Sequence, residues 1–442
     1  MRAGRSSTLL AVHRVNSKTG KSRKQQRHTL LFCINPHTRS TIFMYKGERS
    51  KIWQELLPSY GDFLGKENNV AKKMKRLGLL FTDCRAIVSL NAVKVSSGLQ
   101  DICCNDKTNL KFTDGCGLMS PVFAEKAGKA LRPKRKSNVP VPSVIQIRHK
   151  VTLFLLLPGS SFSDNGGQGF KGVLMVDQSL EGCQIQFRKS MEKFKSTSKL
   201  ARELGIVDCS RPSKNGAALN KQIIMVLSER GISDDVLLWK QRQHLLAPCH
   251  PFLLLKWALI NSPSTAVRML SSRTNKEMDN AITDTLHIME NRRRKAAKES
   301  LRVPLSRNVL GVADISGRLK YGQCFFRPTI TGTPRTLTNG KIAVARNPCY
   351  YPGDVRVLEV VDIQGLSHLV DCIVFPVEGP RPHAHEMAGG DLDGDRFFVT
   401  WDPDLIPAST CEPYPYDQPS KEGSDSPPPQ PEPDDIAEVM AR

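Results

Sequence analysis

Three aspartates alternate along one short stretch of the chain, GGDLDGDRFFVTWD at residues 389–402. Asp391, Asp393 and Asp395 are separated by one residue each, and Gly394 lies among them. Three carboxylates this close cannot all stay ionised without a cation or strong hydrogen-bond donors. The flanking residues, FPVEG before and RFFV after, are mostly apolar, which predicts that the turn is attached to buried strands. The spacing therefore points to a site that binds a cation.

Three interpretations of this cluster are open. A solvated acidic turn needs no ligand, but the surrounding chain is basic and offers no acidic surface. A calcium loop of the EF-hand type needs glycine at its sixth position and a helix after it, and here Arg396 and a strand-like run take those places. A Mg²⁺ site for phosphoryl transfer needs only a few carboxylates together with substrate phosphates. Cations held there would neutralise both the aspartates and the incoming phosphates.

Two other phosphate-binding patterns fail on their context. GQGFKG at residues 167–172 matches G-x-G-x-x-G, but the strand-like run VLMVD follows it where a dinucleotide site needs a helix. TGKS at residues 19–22 has the end of a Walker A motif, but Val15 stands where the first glycine belongs. Neither pattern predicts a nucleotide site.

The charge of the chain predicts a polyanionic partner. Its formal net charge is +21 over 442 residues, which favours nucleic acid or an acidic membrane surface. The 12 cysteines are scattered without metal-ligand spacing, which is typical of free thiols in a reducing compartment. No apolar run is long enough to cross a membrane. Of the two polyanions, nucleic acid is favoured. We expect an intracellular protein, nuclear or cytoplasmic or both, with no membrane partner.

The elements that must position the aspartates form two groups of strands with a helical stretch between them. Strand-like runs such as VIQIR, GVLMVD and QIQFR come first, and a polar helical stretch lies near residues 265–300. Strand-like runs then return up to residue 401, and an acidic, proline-rich tail follows. Short strands with Gly/Pro turns, and helices kept apart from them, predict β-barrels joined by helices and not βαβ units.

Several sequence blocks resemble one known family. NPCYYPGDVRVLEVVD and HLVDCIVFPVEGPRPHAHEMAGGDLDGDRFFVTWDPDLIP strongly resemble the eukaryotic cellular RNA-dependent RNA polymerases of RNA silencing. The upstream blocks FTDGCGLMSP, VPSVIQIR and GVLMVDQSLEGCQIQFRKSMEKF occur in the order found in that family. The resemblance covers roughly residues 70–415. Because members of the family extend further at both ends, the chain is identified as a truncated member.

The resemblance implies an α+β fold with two double-psi β-barrels joined by a helical connector. The first barrel is expected at 70–260, with an insertion at about 149–168 that is either a true loop or translated intron sequence. The connector is expected at 261–300 and the second, catalytic barrel with the DLDGD loop at 301–402. Residues 1–69 would form a basic segment, partly disordered or part of a truncated slab-like region, and the acidic tail at 403–442 would be disordered.

The resemblance also assigns roles to individual residues. Asp391, Asp393 and Asp395 are implied as the catalytic residues and as the ligands of Mg²⁺. Four basic residues are implied to bind the nucleotide substrate: Arg188, Lys193, Lys221 and Arg346. The chain departs from the family at Tyr351, where histidine is usual.

The function implied is that of an RNA-dependent RNA polymerase core. It would join nucleoside triphosphates on a single-stranded RNA template in a Mg²⁺-dependent reaction. The double-stranded RNA produced would feed gene silencing, with silencing machinery among the partners. The alternative is a catalytically inactive, truncated RNA-binding relic of the same family. A subunit of a DNA-directed polymerase is a third interpretation, which the order of the blocks around GGDLDGD disfavours.

Overall fold

A computed structural model describes most of the region between residues 84 and 416. The described ranges are 84–104, 109–131, 140–149, 167–196, 203–213, 216–245, 255, 259, 263–299, 301–338 and 340–416, together with the backbone of three strands nearer the N-terminus. The predicted insertion at about 149–168 overlaps the described strands at both of its ends, and residues 150–166 lie outside the described residues.

The three N-terminal strands form a small antiparallel sheet. They are β1 (Val12–Val15), β2 (His28–Cys33) and β3 (Thr41–Tyr45), and β2 lies in the middle. β2 coincides with the apolar run HTLLFC. The other residues of the predicted segment 1–69 lie outside the described residues.

Eight strands and one helix form the first unit. The strands are β4 (Ala86–Ser89), β5 (Lys94–Leu99), β6 (Cys116–Met119), β7 (Val144–His149), β8 (Gly167–Val176), β9 (Gln184–Arg188), β10 (Glu192–Ser196) and β11 (Glu203–Cys209). They follow the order β4-β11-β7-β8-β6-β9-β5, and β10 also pairs with β8. Helix α1 (Pro121–Leu131) packs Phe123 and Ala127 into the core of this unit.

In the linking region, the described residues include one short strand and four helices with defined bounds. They are β12 (Ala217–Leu219), α2 (Lys221–Glu229), α3 (Asp234–Leu245), α4 (Pro263–Ser271) and α5 (Asn275–Glu299). α4 and α5 lie in the range 261–300, where the helical connector is expected. Two other elements of this region, β12 and α2, fall within the range expected for the first barrel, 70–260, and pack against the second unit. The apolar face of α2, with Ile223 and Val226, packs against Phe398 of that unit.

The second unit is a closed six-stranded barrel. Its elements are β13 (Leu301–Val303), β14 (Ser306–Ala313), β15 (Gln323–Phe326), β16 (Thr329–Ile330), β17 (Thr333–Pro334), β18 (Gly340–Arg346), β19 (Val355–Val360), β20 (Cys372–Phe375), α6 (His383–Glu386) and β21 (Arg396–Thr400). The barrel closes in the order β14-β20-β15-β19-β18-β21. β14 pairs with β20 and β15 with β19 in parallel, and the other contacts in the barrel are antiparallel.

The two units share one hydrophobic core. Leu118 and Val173 of the first unit are buried in the same cluster as Phe325 and Phe397 of the second. Ser143 joins the units as well, because its hydroxyl donates to the His368 carbonyl at 2.8 Å and accepts from the Val370 N–H at 2.9 Å. This continuous core holds the facing surfaces of the two units in a fixed relation. The predicted α+β fold with barrels joined by helices is confirmed.

The start of the tail differs from the prediction of disorder from residue 403. Residues 403–416 pack against the second unit, and Leu405 is fully buried. Arg230 donates to the Ser409 carbonyl and Arg356 to the Cys411 carbonyl, so backbone groups of this stretch have partners. The composition of the whole tail concealed these few anchoring residues. Residues 417–442 lie outside the described residues.

Within the part of the chain that the structure describes, no helix is long and apolar enough to cross a membrane.

Candidate active site

The three aspartates lie on the loop between α6 and β21, and the structure brings them together. One carboxylate oxygen from each of Asp391, Asp393 and Asp395 lies within 4.8 Å of the others. Asp393 is buried and the other two are half-buried. Carboxylate oxygens at this spacing form a donor set suited to a hard divalent cation. The predicted convergence of the three side chains is therefore present.

Hydrogen bonds inside the loop fix its bend. The Asp393 N–H donates to Asp391 Oδ1 at 3.0 Å, and the Asp391 N–H donates to Asp395 Oδ2 at 3.1 Å. Gly394 has φ +126°, and a Cβ there would lie 1.9 Å from the Gln146 side-chain nitrogen. Glycine is needed at this position both for its backbone conformation and for its close contact with the first unit.

The first unit supports the loop from the opposite side. The Leu392 N–H donates to the Asp114 carbonyl at 3.0 Å. Gly115 packs so closely that a Cβ on it would lie 2.4 Å from the Cβ of Asp393. Arg396, just after the loop, forms an ion pair with Asp208 of β11. The aspartate loop therefore lies in the interface between the two units.

Each unit places one cation in direct contact with the cluster. Lys171 of β8 places its Nζ 2.5 Å from Asp393 Oδ2. Arg346, at the end of β18, places its Nε 2.5 Å from Asp395 Oδ2 and donates from a second nitrogen to the Ala388 carbonyl at 3.1 Å. Both cations offset the negative charge of the clustered carboxylates, which is also what a bound metal ion would do.

The three carboxyls do not share their negative charge equally. Burial, followed by the negative charges of Asp393 and Asp395, raises the pKa of Asp391 to about 7. Burial acts in the same direction on Asp393, but the charge and hydrogen bond of Lys171, together with Lys193 and Arg148, hold its pKa below the ordinary value. A divalent cation at the cluster would favour the ionised form of all three.

The four predicted substrate-binding residues take different positions. Arg346 contacts the cluster directly. Lys193 is half-buried, donates to the Ser190 carbonyl at 2.8 Å and acts on Asp393 through its charge. Lys221 is exposed at the start of α2. Arg188 is buried, and its guanidinium donates to the Cys116 carbonyl at 2.6 Å and to the Gln100 carbonyl at 2.5 Å. These bonds commit Arg188 to the backbone of the first unit.

Three residues of the hairpin β7–β8 belong to the site and were missed. Gln146 and Arg148 alternate on β7, and Arg148 pairs in register with Lys171 on β8. Gln146 contacts Gly394, Lys171 pairs with Asp393, and the charge of Arg148 acts on Asp393. Burial lowers the pKa of Arg148, and the negative charges of Asp393 and Asp391 oppose that shift. Polar residues at alternate positions of an otherwise apolar strand, VIQIR, were the available signal.

Comparisons with known proteins agree with this geometry. The family model described as RNA dependent RNA polymerase matches residues 6–442. The chain is 31% identical over 398 residues to probable RNA-dependent RNA polymerase 1 of Oryza sativa subsp. japonica, covering 85% of this chain and 48% of that protein. It is also 31% identical over 369 residues to RNA-dependent RNA polymerase 6 of Arabidopsis thaliana, covering 77% of this chain and 28% of that protein. The chain thus spans less than half the length of these relatives.

A solved structure shares the fold. RNA dependent RNA polymerase QDE-1 from Thielavia terrestris superposes with a TM-score of 0.59 at 22% identity. The match covers 85% of this chain and 42% of that one. The similarity supports the arrangement of the two units described above.

Proposed function

The chain belongs to the RNA-dependent RNA polymerase family, and on that premise we propose that it carries the catalytic core of such an enzyme. The reaction is nucleotidyl transfer from nucleoside triphosphates to the 3′ end of an RNA strand on a single-stranded RNA template. The observation that carries the proposal is the gathering of three carboxylates within 4.8 Å, at an interface where each unit places one cation in direct contact with them.

Asp391, Asp393 and Asp395 are the residues that would hold Mg²⁺. The donor set fits, because it consists of carboxylate oxygens alone, and burial together with the charges of Asp393 and Asp395 already raises the pKa of Asp391 to about 7. Mg²⁺, when bound, supplies the positive charge that favours ionisation of the attacking 3′-hydroxyl and offsets the charge on the triphosphate. The chain's own contribution is to hold the three carboxylates in place through the loop hydrogen bonds and the packing of Gly115.

Basic residues around the cluster would bind the triphosphate. Lys171, Lys193 and Arg148 bring positive charge from the first unit, and Arg346 brings it from the second. Lys221 is exposed and free to contact the RNA backbone. Arg188 contributes by fixing the backbone around Cys116, next to Gly115, and its bonds favour this supporting role over direct contact with substrate. The double-stranded RNA product would serve silencing machinery in the nucleus or the cytoplasm.

Replacing Asp393 with asparagine tests the proposal. Asp393→Asn keeps the shape of the side chain but removes the charge that pairs with Lys171. We expect Mg²⁺-dependent incorporation of nucleotides on a single-stranded RNA template to fall about 100-fold or more, as for other groups that stabilise transition-state charge. RNA binding in the presence of a chelator should persist. Asp362→Asn, at an exposed position, is the matched control and should leave incorporation unchanged.

A binding readout that needs no turnover, taken together with incorporation, separates the active and inactive interpretations. Mg²⁺ should raise the thermal midpoint of the wild-type protein, because ligand binding to the folded state stabilises it, and should not raise that of Asp393→Asn. A wild-type protein that binds RNA and Mg²⁺ but incorporates nothing would support the inactive alternative. Incorporation by Asp393→Asn at the wild-type rate would show that the site is wrongly assigned.

A further inference from the structure

Four tyrosines lie together on the surface of the second unit near the aspartate loop. Tyr350, Tyr351, Tyr414 and Tyr416 are here called the tyrosine cluster. Tyr350 is 71% exposed, Tyr414 49% and Tyr351 37%, and Tyr416 is half-buried. The ring centroids of Tyr351 and Tyr414 are 5.3 Å apart, with an angle of 68° between the ring planes. Those of Tyr414 and Tyr416 are 5.2 Å apart, with an angle of 56°. Tilted contacts between rings, together with this exposure, leave aromatic faces open to solvent.

One buried carboxylate ties the cluster to the active-site loop. Asp354 is fully buried, and its Oδ2 accepts the N–H groups of Tyr350 and Tyr351 at 3.1 and 3.0 Å. Its Oδ1 accepts the Tyr416 hydroxyl at 2.5 Å and the Ala388 N–H at 3.1 Å. The Ala388 carbonyl in turn accepts from Arg346, which pairs with Asp395. The cluster therefore lies a few hydrogen bonds from the aspartates and is fixed relative to them.

Positive charge borders the cluster on two sides. Arg381 lies over the Tyr416 ring at 6.0 Å and donates to the Tyr414 carbonyl at 2.9 Å. Arg381 also donates from Nε to His385 Nδ1 at 3.0 Å and from a terminal nitrogen to the His385 carbonyl at 3.4 Å. These bonds hold the guanidinium beside the tyrosines, and among the described residues no carboxylate neutralises its charge, which is what it offers a phosphate. At the other side, Gln222 of α2 donates to the Tyr350 hydroxyl at 2.7 Å, and the exposed Lys221 is its neighbour. Open aromatic faces with cations beside them match the chemistry of single-stranded nucleic acid, in which bases alternate with phosphates.

We propose that the tyrosine cluster binds unpaired bases of single-stranded RNA beside the active site. The bases stack on the exposed rings of Tyr350 and Tyr414, and the adjoining phosphates pair with Arg381 and Lys221. Stacking of this kind tolerates every base, because each base offers a π-face. The site would hold a strand in place without selecting its sequence. The choice of RNA as the ligand rests on the proposed function.

The test compares an aromatic side chain at residue 414 with an aliphatic side chain at the same position. Tyr414→Leu removes the aromatic face, and Tyr414→Phe keeps it while losing a hydroxyl. Binding of fluorescently labelled single-stranded oligouridylate is measured by anisotropy in a chelating buffer, and binding of the same oligomer with abasic ribose at every position is measured in parallel. We expect Tyr414→Leu to weaken oligouridylate binding about fivefold or more, and Tyr414→Phe to change it less than about twofold.

Further variants keep the test independent of folding. Tyr350→Leu, at a highly exposed position, should weaken binding in the same way and add to the effect of Tyr414→Leu. Trp239→Leu, on α3 outside the cluster and 50% exposed, should not weaken it. The abasic oligomer should bind the wild type more weakly and should not distinguish Tyr414→Leu from the wild type. Equal losses for both oligomers, or no loss for either, would overturn the proposal.

The outcome is separable from that of the proposed function. Binding is measured without Mg²⁺ or nucleotides, so it does not require polymerisation. Tyrosine-dependent binding by a protein that incorporates no nucleotide would overturn the proposed function and support the stacking site. Normal incorporation together with RNA binding that does not depend on the tyrosines would support the proposed function and overturn the stacking site.

Discussion

Gly115 touches Asp393 without a side chain of its own, and the aspartate loop depends on that contact. A Cβ on residue 115 would lie 2.4 Å from the Cβ and 2.7 Å from the Cα of Asp393, and the backbone there has φ +79°. Since the atoms it would meet are next to or within the main chain, no rotation of a side chain can make room. The loop itself would have to move, and with it the carboxylate that pairs with Lys171.

We expect Gly115→Ala to abolish the stabilisation by Mg²⁺ and to reduce nucleotide incorporation by about tenfold or more, because small displacements of catalytic groups are costly. Gly182→Ala is the matched control, since Gly182 has φ +67° and an added Cβ meets nothing within 4 Å. Both variants should lose roughly 1–2 kcal/mol from the left-handed conformation. Thermal melting with and without Mg²⁺ measures the difference, and equal responses of the two variants to Mg²⁺ would contradict the argument.

At the level of single residues, the sequence indicated the three clustered aspartates but not the basic residues that pair with them. Alternating acids around a glycine predicted that Asp391, Asp393 and Asp395 come together, because the constraint is local. Lys171 is separated from Asp393 by about half of the chain and becomes its partner only when β8 meets the loop. Arg188 shows the converse, since a charge in a matching block proves to be bonded to backbone carbonyls. The direction of a side chain depends on packing that no local pattern specifies.

Among the elements, the short helix α6 sets where the aspartate loop begins. It is held by a buried network in which Glu386 accepts from His383 Nδ1 at 2.6 Å and from the Tyr321 hydroxyl at 2.5 Å. Arg356 lies 3.0 Å from the same carboxylate. His383 Nε2 accepts the Gly322 N–H at 2.9 Å, so Nδ1 carries the proton donated to Glu386. A helix this short cannot be stable alone, and the network supplies its stability.

Glu386→Gln should lower the free energy of unfolding at neutral pH by about 1–3 kcal/mol, since it weakens hydrogen bonds to a charged group. Burial tends to raise the pKa of Glu386, but the hydrogen bond from His383, the charge of Arg356 and the hydrogen bond from Tyr321 together outweigh burial and lower it. A lowered pKa in the folded state gives stability that is fully present above the unfolded value of about 4.3 and is lost as the pH falls through the folded value.

The difference between wild type and Glu386→Gln should therefore be constant from neutral pH to about pH 5 and shrink as the pH falls below about 4. Urea denaturation at several pH values measures it. Glu378→Gln, an exposed position on the preceding loop, serves as the control and should match the wild type throughout. A difference that grows on acidification would contradict the assignment of the ionised carboxylate as the stabilising form.

The elements themselves were largely predictable, but which unit they join was not. Apolar spacing in LNKQIIMVLSERG, residues 219–231, is typical of a helix, and α2 is that helix. The helix lies on the second unit because the strand before it, β12, pairs with β13. These two strands are far apart in the sequence, since α2 to α5 lie between them. In the same way, the acidic and proline-rich composition hid Leu405, whose burial anchors residues 403–416. Composition averages over a segment, whereas a few apolar residues decide whether the segment packs.

On the scale of the whole molecule, charge is distributed unevenly. The formal net charge is +21, yet residues 417–442 contain seven acidic and two basic residues. An acidic segment linked to a basic protein competes with RNA for the same cations at an effective concentration set by its length. The segment should therefore weaken RNA binding, and it should do so most strongly at low salt, where charges are least screened.

Removing residues 417–442 raises the formal net charge from +21 to +26. We expect this deletion to tighten binding of single-stranded RNA about threefold or more at 50 mM salt, with the gain nearly lost at 500 mM, because RNA affinity depends on the release of counterions. A full-length variant with the seven acids changed to asparagine or glutamine should bind like the deletion, since the effect is one of charge. Anisotropy titrations across salt concentrations measure both. If the neutralised variant bound like the wild type while the deletion bound more tightly, the tail would act by occupying space and not by its charge.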